Sequence, residues 1–205
     1  MNSASVACLS TIIGLVLAIP AAYVLSQVRG GLSRTSLVGL LIIRMIPPII
    51  FLVPIYIIYN RLNLLGSRLG LIFGYQVFLV PFATWVIWSF FKDLPRDLVD
   101  ASRIDGCSPI GTLLHIFLPL ATPIVSVAFI FCFIFCWNEF MFALVLTGRV
   151  TRTAPVITAT FLGERDIDWP AIAAAGTALI TPTVVLMFFV AERLVRGLTA
   201  GALKE

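Results

Sequence analysis

Charge is what this sequence has least of. Only 12% of its 205 residues are Asp, Glu, Lys or Arg, about half the 25% or so that coats an ordinary water-facing domain. A soluble globular enzyme and a disordered chain are both excluded on that ground. Lysine is scarcer still: Lys92 and Lys204 are the only two, and neither follows a glycine-rich run. A G-x-x-x-x-G-K-[ST] phosphate loop is therefore absent, and with it any means of binding ATP by that route. The single histidine, His115, has no Cys, Asp or Glu at ligand spacing around it. The four cysteines, Cys8, Cys107, Cys132 and Cys136, form no CxxC pair, so neither a metal site nor a disulfide framework is indicated. The net charge of +4 comes from basic residues scattered singly, whereas nucleic-acid binding calls for clustered Lys and Arg.

Apolar sequence fills the space that charge leaves, at 60% hydrophobic residues. Five long runs stand out, near Val6–Leu25, Leu37–Tyr59, Leu69–Phe91, Pro119–Leu146 and Ala171–Leu194. Each reaches or exceeds the roughly 20 residues that cross a bilayer as a helix. None alternates as a barrel strand would, and inside hydrocarbon only helices or closed barrels satisfy their own backbone. The expected fold class is an all-α integral membrane protein with about five transmembrane helices. Pro20, Pro47, Pro48, Pro54, Pro81 and Pro182 fall within these runs, where each removes a backbone donor, so kinked helices in a packed bundle are expected. The first run carries no basic residue before Arg29, unlike a signal peptide, and reads as a retained helix.

Orientation follows from basic residues in short loops. Segments 26–36, 92–118 and the tail share one side and hold eight Lys and Arg, against five in the loops of the opposite side. This bias places the C-terminus in the cytoplasm. The single domain would span 1–205, with a cytoplasmic loop over 92–118 and a cytoplasmic tail over 195–205.

The gap 92–118 is patterned. Asp93 followed by Pro95 reads as a helix start, and Leu94, Leu98, Ala101 and Ile104 make an apolar stripe among Arg96, Asp97, Asp100 and Arg103. Gly106 reads as the stop. Ser108-Pro109 is a second cap, followed by Ile110, Leu113, Leu114 and Phe117, and Leu118-Pro119 is expected to end that helix. A helix lying on lipid headgroups would have a polar face rich in Lys and Arg. Here Asp93, Asp97, Asp100 and Asp105 offset Lys92, Arg96 and Arg103, a mixed face that suits a protein partner.

The run Asp100-Ala101-Ser102-Arg103-Ile104-Asp105-Gly106, continuing to Phe117-Leu118-Pro119, resembles the EAA loop of permease subunits of bacterial binding-protein-dependent ABC importers. Asn2-Ser3, Ala21-Ala22-Tyr23, Trp137-Asn138-Glu139-Phe140 and the tail Arg196-Gly197-Leu198-Thr199-Ala200-Gly201 are similar to the carbohydrate-uptake branch, which contains the second maltose permease subunit. Asp100 stands where the family usually has Glu, and Ser102 replaces its second Ala. Members usually have six spans, and Asn2-Ser3 resembles the start of their second, so the first span would be missing here.

The resemblance implies an inner-membrane transporter subunit and not an enzyme. It would work with a homologous second permease subunit, two ATP-binding subunits and an extracytoplasmic solute-binding protein, surrounded by membrane lipid and without nucleic acid. It implies no cofactor on this chain, ATP and Mg belonging to the partner ATPase. Asp100, Ala101, Ser102, Asp105, Gly106, Pro109, His115 and Pro119 would couple to that ATPase, and Arg196, Gly197, Thr199 and Lys204 would touch it from the tail. The solute would be a mono- or oligosaccharide, with glycerol phosphate esters as the runner-up. An integral membrane enzyme or a non-transporting assembly subunit is the competing class, for which one His and one intramembrane carboxylate are thin material.

Glu139 is that carboxylate. Charged groups in lipid face a partner or an aqueous path, so with Trp137 and Asn138 it is a candidate for lining the solute path or for joining helices. Arg44 lies about two turns into the second run, from where its side chain is expected to snorkel to the interface. Glu164, Asp166 and Asp168 in the loop 147–170 read as contacts for a binding protein or water.

Overall fold

The structure, a computed structural model, describes residues 1–28, 31–95, 97–161 and 169–202, with side chains outside 31–34 and 189–202. Among the described residues the chain is helical, and its one β-type contact is an isolated bridge between Gly66 and Thr147. The helices are α1 (Asn2–Gln27), α2 (Gly31–Met45), α3 (Pro48–Arg61), α4 (Arg68–Asp93), α5 (Asp97–Ile104), α6 (Pro109–Thr112), a π-helical turn (Leu113–Phe117), α7 (Leu118–Leu120), α8 (Thr122–Asn138), α9 (Met141–Leu146), α10 (Ala154–Ala159) and α11 (Trp169–Ala202).

Three described helices, α1, α4 and α11, are long and apolar enough to cross a membrane alone. Two bent helix pairs bring the number to five if each is counted as one broken span. The run expected as one helix over 37–59 is broken, with α2 and α3 meeting at 89°. Pro47 lies before Pro48 and is held extended at ψ 132, because a residue preceding proline is pushed out of the helical region. The run expected from Pro119 is also divided. Residues Pro109–Leu120 meet α8 at 80°, and α8 ends at Asn138 before the short α9 completes the passage.

Packing centres on α4, which touches α1, α2, α8 and α9. Phe78 of α4 sits among Phe51, Phe135 and Phe142 with ring centroids 6.0, 5.7 and 5.2 Å away. Such edge and tilted contacts add to the burial of the rings themselves. The faces turned away from this core carry Leu9, Val16, Leu17, Phe73 and Trp85, all exposed. A surface that apolar is what a bilayer requires and water disfavours.

One end of the bundle is tied together by polar bonds. Asn2 Nδ2 donates to the carbonyls of Val150 and Arg152 (2.8 and 3.1 Å), and Ser3 Oγ accepts from the N–H of Ala154 (2.6 Å) at the start of α10. Gly66 N–H donates to Leu146 O (2.9 Å), and Thr151 Oγ1 donates to Gly66 O (2.8 Å). Gly66 has φ +76, and a β-carbon on the facing Gly148 would come within 3.3 Å of the Gly66 backbone. The opposite end carries α5, α6 and the turn that follows.

Candidate functional site

α5 begins at Asp97, not at Asp93, which is the last residue of α4. The correction has a local cause. Leu94 precedes Pro95 and is extended at ψ 139, so the chain leaves one helix there and enters the next beyond the proline. At its other end Gly106 takes φ +76. Its N–H donates to Arg103 O (3.1 Å) while Cys107 N–H donates to Ser102 O (2.9 Å). This is the paired-bond stop that a left-handed glycine provides, satisfying carbonyls the helix end would leave bare. Ser108 then accepts from Gly111 N–H (3.1 Å), with Pro109 as the first helical residue.

The inward face of α5 differs from the apolar stripe expected of it. Val99 and Ser102 are buried, whereas Ala101 and Ile104 are exposed. A polar contact sets this rotation: Ser102 Oγ and Thr112 Oγ1 lie 2.9 Å apart, at 1% and 3% exposure, and lock α5 to α6. Ser102 also donates to Val99 O (2.7 Å) and Thr112 to Ser108 O (3.2 Å); a buried hydroxyl pair needs such partners. Below them Phe117 is buried against Tyr23 of α1 and Phe91 of α4, with centroids 5.0 and 5.2 Å away. The helix pair is thus seated on an aromatic triad joining two spans.

Leu118-Pro119 does not end the second short helix. Proline lacks the N–H that would bond the preceding turn, and the chain answers with the π-turn, in which Leu118 N–H reaches Leu113 O. Helical structure then continues to Leu120. The outward side of the pair exposes Asp100, Ala101, Ile104, Asp105, Gly106, Pro109, Leu114, His115 and Pro119. Asp100 and Arg103 are 3.7 Å apart, both about 70% exposed, a pair worth little in water. His115 Nδ1 is 2.9 Å from Gly111 O.

The stretch Trp137-Asn138-Glu139 lies where α8 breaks into α9. Tyr75 O–H donates to Glu139 Oε2 (3.0 Å), and the N–H groups of Phe142 and Ala143 donate to the same carboxylate (2.9 and 3.2 Å). Glu139 therefore covers the start of α9, where unsatisfied N–H groups and the helix dipole favour an anion. Trp137 Nε1 donates to Leu179 O (2.9 Å), and Asn138 Nδ2 donates to Ile134 O (2.9 Å) and Thr183 Oγ1 (3.5 Å). The bonds to Leu179 and Thr183 join α8 to α11. Tyr75, a lone hydroxyl inside an apolar run, was not singled out by the sequence; only its intramembrane carboxylate partner gave a signal.

Arg44 does not follow the snorkelling expectation. It lies in the last turn of α2 beside the bend, with its guanidinium 4.7 Å from the Phe82 ring centroid and 5.7 Å from that of Phe135. The tail residues Arg196, Gly197 and Thr199 belong to α11, with side chains outside the described residues, and Lys204 lies outside them altogether. Arg96, Glu164, Asp166 and Asp168 also lie outside.

Residues 11–200 match the family described as the binding-protein-dependent transport system inner membrane component. The chain is 39% identical over 204 residues to the sulfoquinovosyl glycerol transport system permease protein SmoH of Agrobacterium fabrum, covering 99% of this chain and 72% of that one. It is 34% identical to the trehalose/maltose transport system permease protein MalG of Thermococcus litoralis, covering 99% and 74%. Its fold is similar to a chain of the bacterial alginate ABC transporter solved in complex with an alginate pentasaccharide-bound periplasmic protein, with TM-score 0.72 at 17% identity, covering 92% and 74%.

Proposed function

We propose, from the premise that the chain belongs to the family of binding-protein-dependent transport system inner membrane components, that it is the permease subunit of an ATP-driven sugar importer whose α5–α6 pair receives force from a partner ATPase. Its relatives include permeases named for trehalose, maltose and a sulfoquinovosyl glycerol. The observation that carries the coupling role is the build of the helix pair. It is capped at Ser108, stopped at Gly106, cross-bonded through Ser102 and Thr112, and seated on Tyr23, Phe91 and Phe117. A push on its exposed side travels through Phe117 into α1 and α4 without being absorbed by bending, because close-packed interiors transmit displacement.

Nucleotide and Mg belong to two partner ATP-binding subunits, while a second, homologous permease completes the path and an extracytoplasmic binding protein delivers solute. The chain sits in the inner membrane as one transmembrane unit over 1–205. Its C-terminus and the helix pair face the cytoplasm, as the basic-residue bias supports. The bonded end at Asn2, Gly66 and Thr151 then faces outward, a fixed platform for the binding protein. Trp137, Asn138 and Glu139 hold the α8–α9 break open beside the path; their own bonds go to helix ends and neighbouring helices, so their part in the path is positional. Residues 196–204 add a second contact with the ATPase.

The test is reconstitution of this chain with its partner permease, ATPase and binding protein in proteoliposomes. ATP hydrolysis should rise with sugar-loaded binding protein and fall when Ser102 and Thr112 are both changed to valine. Hydrolysis that never responds to the loaded binding protein would overturn the reading.

A further inference from the structure

Arg44 is a charge without an ion-pair partner among the described residues, and it lies beside the middle of the span α4. The Phe82 ring it covers stands about 21 Å along α4 from Arg68 and about 17 Å from Asp93, at 1.5 Å per residue. Among the described residues the only ion pair is Arg103 with Asp100. Glu139, at the α8–α9 break, is already taken by Tyr75 and two backbone N–H groups. Arg44 is nevertheless exposed in the isolated chain. An exposed guanidinium at that depth cannot face acyl chains and must look into protein or water.

What it looks into is a half-open groove with room for about 490 Å³, lined by Arg44 with Phe82, Phe131, Phe135 and Cys132 among others. That lies within the range of small-molecule pockets, about 300–1,000 Å³. The rings of Phe82 and Phe135 fix the guanidinium from below, and the α2 C-terminus supplies partial negative charge beside it. Neither uses its hydrogen-bonding fork, which matches a carboxylate, sulfonate or phosphate with two parallel bonds. Phe131, at 45% exposure, leaves part of its surface open to the same groove, a platform for the apolar face of a sugar ring.

We infer that Arg44 is a specificity-determining residue of the solute path and that the solute it selects is a sugar bearing an acidic group. The inference rests on the importer reading above and narrows its substrate class from sugars in general to anionic ones. A neutral sugar gains hydroxyl bonds from Arg44 but leaves its charge uncompensated, whereas an anionic one satisfies both charge and fork.

The test uses the complete transporter in nanodiscs, with the binding protein left out so that only the membrane site is read. Equilibrium binding of radiolabelled glucuronate should be saturable and resist a large excess of unlabelled glucose. Arg44→Gln should weaken it at least about tenfold, the size expected for losing a charge-assisted pair, and Arg44→Lys should restore part of it. Absence of saturable glucuronate binding, equal binding by Arg44→Gln, or displacement by glucose as effective as by glucuronate overturns the inference. Should Arg44→Gln fail to assemble, Phe131→Ala decides: its binding should weaken severalfold, and unchanged binding overturns the inference. ATP hydrolysis on the same nanodiscs, measured after the loaded binding protein is added, separates the two readings. If hydrolysis responds while glucuronate fails, only the anionic solute falls; if hydrolysis never responds, the importer reading falls with it.

Discussion

Replacing Gly106 perturbs the coupling pair at one backbone angle and nowhere else. Its φ is +76, and a β-carbon there would meet no atom within 4 Å, so alanine adds strain without a clash. Left-handed backbone costs a non-glycine residue about 1–2 kcal/mol, which lowers the ratio of stopped to open turn about 5- to 30-fold. Asparagine tolerates this region better and should lose less, valine should lose more, and proline should lose most. Proline's fixed φ of about −65° is incompatible, and it removes the N–H that bonds Arg103 O, a combined loss of about 3 kcal/mol or more. The assay is ATP hydrolysis stimulated by loaded binding protein in proteoliposomes, with equal amounts of assembled transporter. Activity should fall in the order Gly, Asn, Ala, Val, Pro. Gly39→Ala is the control, since its β-carbon also meets nothing but sits inside α2, where alanine is favoured by about 0.5–1 kcal/mol. Equal coupling across the Gly106 series, or a loss in Gly39→Ala as large as in Gly106→Ala, refutes the reasoning.

Further outcomes follow from other positions. Glu139→Ala strips three bonds from the α9 start and Tyr75; hydrogen bonds to a charged group are worth about 1.5–3 kcal/mol each, so the melting temperature of the assembled transporter should drop clearly, with Glu139→Gln intermediate. A normal melt with abolished transport would instead mean that the carboxylate touches solute. Gly70→Ala places a β-carbon 2.6 Å from Leu64 O, a backbone atom, while Gly14→Ala meets only side chains, at 3.1 Å or more; thermal unfolding should rank Gly70→Ala below Gly14→Ala and both below Gly39→Ala. Ser3→Ala removes the bond to Ala154 N–H, and loss of such a cap, worth about 1 kcal/mol, should appear as faster hydrogen exchange over 154–159. Asp100→Asn breaks only an exposed pair and should leave the melt unchanged; any loss of stimulated hydrolysis then belongs to ATPase contact.

The apolar runs show α1, α4 and α11 plainly, because uninterrupted hydrophobicity over a bilayer thickness leaves a helix as the only way to satisfy the backbone. Gly106 and Ser108 were equally legible, being signals read from one or two residues. What hydropathy hides is direction. Pro47-Pro48 lies inside an apolar run yet turns the chain by 89°, and the residues on both arms are equally apolar, so hydropathy shows no break. Pro119 misled in the opposite sense, since a π-turn absorbs its missing donor. The face of α5 was set by the hydroxyl contact between Ser102 and Thr112, a pairing of residues on separate helices that no apolar stripe reports. Arg44 reads as two turns inside the run with a side chain snorkelling to the interface, and the structure instead leaves its guanidinium over Phe82 and Phe135.

Ile104 and Ile110 stand outward on the helix pair at 86% and 70% exposure, which makes them the natural reporters of what docks there. A photo-activatable residue at either position, in the complete transporter cycled with ATP and without it, tests the lever most directly. The account predicts an adduct with the ATP-binding subunit whose yield changes with nucleotide. Adducts with lipid or the extracytoplasmic binding protein alone would contradict it.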